Sequence, residues 1–365
     1  MKIAQVAPLF ESVPPRLYGG TERVVSWLTE ELVSLGHEVT LFASGDSVTT
    51  ARLVPVTAKA LRLDANCIDP WPYHILLLEK VFNRAADFDI IHFHTDYWHF
   101  PLSRLHHIDC VTTLHGRLDI PDLVPIYEEF REMPVVSISD AQRAPLPWLN
   151  WQGTVRHGLP SKSLALCKGD GGYLAFLGRI SPEKGVDRAI EIAVRAGLPL
   201  KIAAKIDRAD REYFHQVIEP LLKHPLVDFI GEIGAEEKND FLGKAIGLLV
   251  PINWPEPFGL VMIEAMACGT PIVAFARGSV PEIVVDRVNG FVVDDVDSAV
   301  RAVNRLSEID RETCRNYFEH CFTDKRMARD YLTIYSQLIQ KRSSSMAINK
   351  EIAQWTQLTS SSSTT

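Results

Sequence analysis

Basic charge is in short supply in this chain. Against 38 lysines and arginines stand 46 aspartates and glutamates, a net charge of −8, and residues 1–165 share the deficit with 14 against 19. A protein that tracks nucleic acid needs a basic surplus to neutralise phosphates, so nucleic acid is excluded as a main partner. Cysteine is sparse in pattern: Cys67, Cys110, Cys167, Cys268, Cys314 and Cys321 include no C-x-x-C pair. That spacing gives no framework for structural zinc and fits a reducing compartment. No apolar run approaches the roughly 18 residues of a membrane span. The first residues enter a strand directly, without a charged and apolar leader. The expected location is the cytoplasm, with peripheral contact at the inner membrane face as a second option. The first strand also lacks G-x-G-x-x-G, and no acid follows it at the ribose-binding distance, which argues against a dinucleotide-dependent dehydrogenase.

What is present reads as an α/β protein. With 365 residues, 46% of them hydrophobic, the chain is long enough for two domains. KIAQVAP is a short apolar strand, LFESVPPRLYGG a loop, and TERVVSWLTEELVSLG a helix with Val24, Val25, Leu28, Leu32 and Leu35 at helical spacing. HEVTLFAS is the next strand, completing a βαβ unit whose ligand side is the C-terminal edge of the strands. Gly19 and Gly20 either form a plain turn or let the backbone approach an anion at the helix N-terminus. A helix is expected over Tyr73 to Ala86, and the strands DIIHFH, CVTTLHG and PVVSIS continue the alternation. His92 and His94 share one strand face, and His115 stands at a strand end. With no third ligand at metal-binding spacing, these histidines are read as lining a cleft and no metal is assigned. The pattern breaks over 148–172 and a second series follows: YLAFLGR, a helix over Asp187 to Ala196, LKIAAK and VDFIG.

The densest chemistry lies in WPEPFGLVMIEAMACGTPIVA, residues 254–274. Pro255 and Pro257 fix φ on both sides of Glu256 and delay the next helix to about Phe258. That helix is apolar nearly all round except for Glu264, a carboxylate that must find a hydrogen-bond donor or a cation. A structural ion pair is one reading; a ligand held between loop and helix is the other. GRISPEKGVD places Arg179 and Lys184 between glycines, where they are either solvated charges or a diphosphate clamp. FIGEIGAEE contributes Glu232, and FARGSVPEIVVDRVNGFVV contributes Glu282. All these loops follow strands of the second series, so their charges are expected on one rim. Cations facing acceptor-only carboxylates suit a ligand with both phosphates and hydroxyls, such as a sugar nucleotide.

Taken together, GGTE, GRISPEKG, EPFGLVMIEAMACGTPIVA, and GSVPEIV followed by NGFVV resemble the retaining glycosyltransferases of family 4, glycosyl transferase group 1, over nearly the whole chain to about residue 340. The resemblance implies a GT-B fold: two Rossmann-like, doubly wound domains facing across a cleft, with the C-terminal helix crossing back to the first. It divides the chain into an acceptor-side domain at 1–160, a nucleotide-sugar-binding domain at 161–323 and a crossing helix at 324–342. Residues 343–365 are expected to be a mostly disordered tail. It implies transfer of a sugar from a nucleoside-diphosphate sugar to a hydroxyl of a saccharide, lipid-linked sugar or small molecule, without metal or cofactor. Arg179 and Lys184 would neutralise the diphosphate, Glu256 would contact the sugar, Glu264 the ribose, and His115 would lie near the reacting carbon. Phe258, Gly259, Leu260, Gly19 and Gly20 would hold the donor by backbone, and a ribose hydroxyl becomes the expected partner of Glu264. RHGLP departs from the family's usual hinge, and Trp148, Trp151, Tyr97 and Trp98 are open to packing, sugar stacking or membrane contact. A sugar-nucleotide 2-epimerase of the same fold and a non-catalytic binding protein are the competing readings.

Overall fold

A computed structural model describes residues 1–17 and 19–361, with side chains described to residue 342. The first sheet holds seven strands: β1 (Lys2–Val6), β2 (Glu38–Ala43), β3 (Arg52–Pro55), β4 (Ile90–Phe93), β5 (Cys110–Thr113), β6 (Val135–Ser137) and β7 (Trp151–Thr154). Their order is β3-β2-β1-β4-β5-β6-β7, and the pairings are parallel. The second sheet holds β8 (Leu174–Arg179), β9 (Leu200–Lys205), β10 (Val227–Gly231), β11 (Gly247–Val250), β12 (Ile272–Phe275) and β13 (Gly290–Val293). Its order, β10-β9-β8-β11-β12-β13, repeats the winding of the first. Continuous apolar strands such as IVAF are buried on both faces, as parallel sheets covered by helices require. Each domain thus reverses its winding at its first strand, which opens a crevice at the strand C-termini. The α/β architecture is the GT-B arrangement that the resemblance implies.

Helix α1 (Gly20–Ser34) buries Val24, Leu28 and Leu32 against β1. Helix α2 (Trp71–Phe82) starts earlier than the expected 73–86, because Pro72 serves in its first turn, and ends at Phe82, with a separate turn over Ala85–Asp87. The closing helix, Asp324–Ser361, packs Met327, Tyr331 and Tyr335, all fully buried, into the same cluster as Ile3 and Leu28 of the first domain. Each such side chain contributes about 1.5–3 kcal/mol of burial, which fixes the crossing. The expected tail at 343–365 overlaps the end of this helix; side chains from 343 and everything from 362 lie outside the described residues.

The two passages between domains run side by side, joined by a bridge between Leu159 and Thr323. A Cβ on Gly158 would sit 2.1 Å from the Thr323 carbonyl oxygen. The RHGLP hinge therefore has its own reason for glycine. Among the described residues no helix is long and apolar enough to cross a membrane.

Candidate functional site

The C-terminal ends of both sheets face a cleft of about 570 Å³. Lys184, Arg179, Glu256, Glu264, His115, Gly19, Gly20, Phe258, Gly259, Leu260 and Glu232 all line it, on elements far apart in sequence. Glu282 is not among the lining residues.

On the second-domain wall, Glu256 is 8% exposed and its carboxylate accepts from Lys184 Nζ at 2.5 Å and Trp254 Nε1 at 2.9 Å. The lysine also lies over the Trp254 ring, 4.9 Å from its centroid. The proline-bracketed loop is pinned from behind: Ser279 N–H donates to the Glu256 carbonyl and Ser279 Oγ to the Phe258 carbonyl, both at 2.9 Å. Gly278 makes that approach feasible, since its φ is +54° and a Cβ there would lie 2.4 Å from Glu256 backbone. Gly259 then starts the helix Leu260–Ala267, whose first residues, Leu260 and Val261, line the cleft together with Gly20.

Glu264 corrects an expectation. It is 4% exposed, and its partner is a lysine: Lys238 Nζ donates to Oε1 at 2.6 Å from the helix Ala235–Lys244. A carboxylate in an apolar helix needs a counter-charge before any ligand arrives, and Lys238 supplies it. A ribose hydroxyl would be an additional partner on the remaining lone pairs. Arg179, at the end of β8, is drawn among acids, bonding Glu183 and lying 3.6 Å from Asp207 and 3.7 Å from Asp210.

Glu282 is placed elsewhere. It accepts from the backbone N–H groups of Asp140 at 2.9 Å and Ala141 at 2.7 Å and meets Arg156 at 3.2 Å. The loop after β12 folds behind Glu256, so the short helix carrying Glu282 turns toward the first domain and ties the domains at the hinge. It is not a rim residue.

On the first-domain wall, which also carries Glu22, Arg23, Arg62 and Asp96, the histidines form a neutral network. Gln5 Nε2 donates to the Tyr335 hydroxyl at 3.2 Å, so its Oε1 accepts from His94 Nε2 at 2.8 Å. His94 Nδ1 must then accept, taking the proton of His115 Nε2 at 2.9 Å and leaving His115 Nδ1 as an acceptor. His92 joins Tyr335 at 2.6 Å and Thr113 at 2.7 Å, and Thr113 meets Tyr331 at 2.8 Å. Two tyrosines of the closing helix thus hold the strand histidines in place. Burial pushes the His115 pKa down to about 3 and those of His92 and His94 well below the usual value. Both ring nitrogens of His92 and His94 are engaged in these hydrogen bonds, as is His115 Nε2, and among the described residues no group of three His, Cys, Asp or Glu is arranged to hold a metal. His157 stacks on His115 at 5.3 Å and meets the edge of Phe258 at 4.8 Å, spanning the two walls.

Several cleft residues escape sequence reasoning. Burial raises the Asp96 carboxyl to about 6 and the Glu22 carboxyl to about 7, and both line the cleft. Glu22 stands in GGTE, and Asp96 follows the strand of His92 and His94 at a left-handed φ of 49°. Lys238, Lys205 and His157 carry no local signal. Of the aromatic candidates, Trp148 and Trp151 pack beside Tyr127 and Phe130 with Tyr97, whereas Trp98 lines the cleft.

Residues 166–320 match the family described as Glycosyl transferases group 1, and residues 18–154 match Glycosyltransferase Family 4. An uncharacterized glycosyltransferase of Methanocaldococcus jannaschii is 26% identical, across 84% of this chain and 89% of its own. The sucrose-phosphate synthase of Thermosynechococcus elongatus superposes with a TM-score of 0.78 at 19% identity, covering 93% of this chain and 99% of that one. The Anabaena protein HepE, solved with UDP-glucose, superposes at 0.69 with 18% identity, covering 94% of this chain and 100% of that one. At these identities the solved structures speak for the fold.

Proposed function

The chain belongs to the family 4, group 1 glycosyltransferases, and from that premise we propose that it moves a sugar from a nucleoside-diphosphate sugar to an acceptor hydroxyl, with retention of configuration and without metal or cofactor. The observation that carries this reading is the pair of lysine–glutamate contacts, Lys184–Glu256 and Lys238–Glu264, set at the two ends of one loop and helix on a single cleft wall. Each pair offers a cation for phosphate oxygens and a carboxylate for hydroxyls, in the sequence a sugar nucleotide presents them. Glu256 would take the sugar hydroxyls and Glu264 the ribose, while Lys184 and Arg179 would neutralise the diphosphate. UDP-glucose bound to HepE supports the donor class.

In the proposed reaction the bond from the anomeric carbon to the phosphate oxygen breaks as the acceptor oxygen bonds that carbon on the same face. The acceptor proton passes to the departing phosphate. Charge builds on the nucleoside diphosphate, where Lys184 and the amides after Gly259 would stabilise it. His115 is neutral on the opposite wall, so it would hold the sugar or acceptor by hydrogen bond without adding charge.

A thermal-shift screen over uridine, guanosine and adenosine diphosphate sugars, with and without chelator, tests this. Binding to the folded state raises the melting temperature, and one nucleotide series is expected to raise it by a few degrees in chelator. No shift with any series would overturn the donor assignment. Complete and reversible loss of the shift and of turnover in chelator would overturn the metal-free reading.

A further inference from the structure

Outside the cleft, α2 carries an apolar face left uncovered among the described residues. The helix buries Leu77, Leu78 and Val81 and turns Trp71, Ile75 and Leu76 outward at 53%, 66% and 52% exposure. Ile68, in the loop before it, is 99% exposed. Single exposed apolar residues are ordinary, but a run of them on one helix marks a contact surface.

This face is joined to the cleft by a chain of rings. The Trp71 centroid lies 5.0 Å from Trp98, and Trp98 lies 6.3 Å from Phe10, both edge-on. Phe10 and Trp98 line the cleft. His74 sits among the three rings, held by donating Nδ1–H to the Pro70 carbonyl at 2.9 Å and accepting Leu9 N–H at Nε2 at 3.1 Å. Of the neighbouring cations, Lys59 pairs with Asp64 at 3.2 Å and Arg62 with Glu11 at 3.0 Å, while Lys80 donates to the Pro55 carbonyl at 2.7 Å and keeps its charge, a single lysine and not a cluster. Among the described residues, the face therefore offers ring faces and aliphatic surface with no unpaired basic cluster to draw an anionic bilayer.

We propose that the acceptor is an amphipathic saccharide whose sugar stacks on Trp98 and Phe10 in the cleft and whose hydrocarbon aglycone runs over Trp71 onto Ile75 and Leu76. The proposal rests on reading the cleft as that of a glycosyltransferase and adds the class of acceptor. Ring faces suit sugar C–H surfaces, and the exposed aliphatic side chains suit a tail that follows the sugar outward.

The test is calorimetric titration of the full chain with maltose, n-octyl β-D-maltoside and n-dodecyl β-D-maltoside, all below micelle formation. The head group is common, so differences report the tail; each buried methylene tightens binding roughly threefold to fourfold. The dodecyl compound is expected to bind at least tenfold tighter than maltose. The double variant Ile75→Ser, Leu76→Ser, changed only at exposed positions, should lose most of that gain while melting like the parent. Equal binding of the three compounds would overturn the proposal, as would chain-length dependence retained in the double variant. Sedimentation with phosphatidylcholine vesicles without discrete maltoside binding would assign the face to a bilayer instead. Parent dimers that the double variant loses, again without maltoside binding, would assign it to a second copy of this chain. A chain that binds the dodecyl compound as expected but no nucleotide sugar would leave the tail site standing and remove the glycosyltransferase reading.

Discussion

On the second-domain wall each buried glutamate of the 254–274 stretch meets a lysine, Glu256 with Lys184 at 2.5 Å and Glu264 with Lys238 at 2.6 Å. On the first-domain wall the buried histidines are held by neutral hydrogen bonds, from Gln5 through His94 to His115, and this histidine face is the neutral wall of the comparison, although Glu22, Arg23, Arg62 and Asp96 of the same domain also line the cleft. The charged wall is suited to a ligand that carries charge and gains more during reaction, the neutral wall to a hydroxyl that must stay uncharged until its proton leaves. Burial enforces the difference: it costs an unpaired ion several kcal/mol, so the histidines stay neutral and the glutamates recruit cations. The contrast can be broken from either side.

The largest effect is expected at Lys184. In the proposed reaction Lys184 faces the departing diphosphate, so Lys184→Ala should lower kcat on the order of 100-fold or more, with a smaller change in donor affinity. A kcat within threefold of the parent would show that the charged wall does not act on the departing phosphate.

Next come Lys238 and Glu264. Lys238→Met leaves a buried carboxylate without its counter-charge and should reduce stability by about 1–3 kcal/mol. Glu264→Gln should weaken donor binding about tenfold, the order of one charge-assisted hydrogen bond. The double variant should recover part of the stability lost by Lys238→Met, because the stranded charge is gone. A double variant less stable than either single one would show that the two side chains do not act as a pair.

The neutral wall makes its own prediction in pH. Histidines with folded pKa values below their unfolded ones bind fewer protons folded than unfolded, so stability falls as pH drops below about 6.5. His92, His94, His99, His115 and His157 all shift this way, His115 to about 3. Asp96 and Glu22, raised to about 6 and about 7, work in the opposite sense, retaining protons in the folded chain. The histidines outnumber them, so the melting temperature should fall from pH 7 to 5.5, each net proton being worth about 1.4 kcal/mol per pH unit. A flat or rising profile would mean that the histidines charge without leaving the fold.

The smallest effect is expected from Glu282→Gln, which keeps one acceptor oxygen where the Asp140 and Ala141 amides now use one carboxylate oxygen each, and loses the charge facing Arg156. Stability should change by less than about 1 kcal/mol, with donor affinity as in the parent. Loss of donor binding would return Glu282 to the rim.

The same contrast explains what the sequence reveals. The charged wall comes largely from one continuous stretch plus GRISPEKG, so proline spacing and a lone acid in an apolar helix mark it from the residues alone. Lys238 is hidden because it reaches Glu264 across 26 positions from another helix. Glu282 misleads because its loop belongs to the right edge of the sheet, while the close packing at Gly278 turns its side chain to the hinge. On the neutral wall strand alternation and a strand end mark His92, His94 and His115 as cleft residues, but their partners Gln5, Tyr331 and Tyr335 are joined through contacts spanning up to 330 positions, and local periodicity carries no trace of those contacts. The parallel sheets, by contrast, are legible from alternating strand and helix patterns, since each βαβ unit is local.

The most direct test of the central claim is to incubate the chain with the nucleotide sugar that binds best and measure release of free nucleoside diphosphate, with and without an alkyl maltoside acceptor. Release that the acceptor accelerates, and that Lys184→Ala reduces on the order of 100-fold, is expected. No release above background, or release that Lys184→Ala leaves unchanged, would contradict a charged wall that drives departure of the nucleotide.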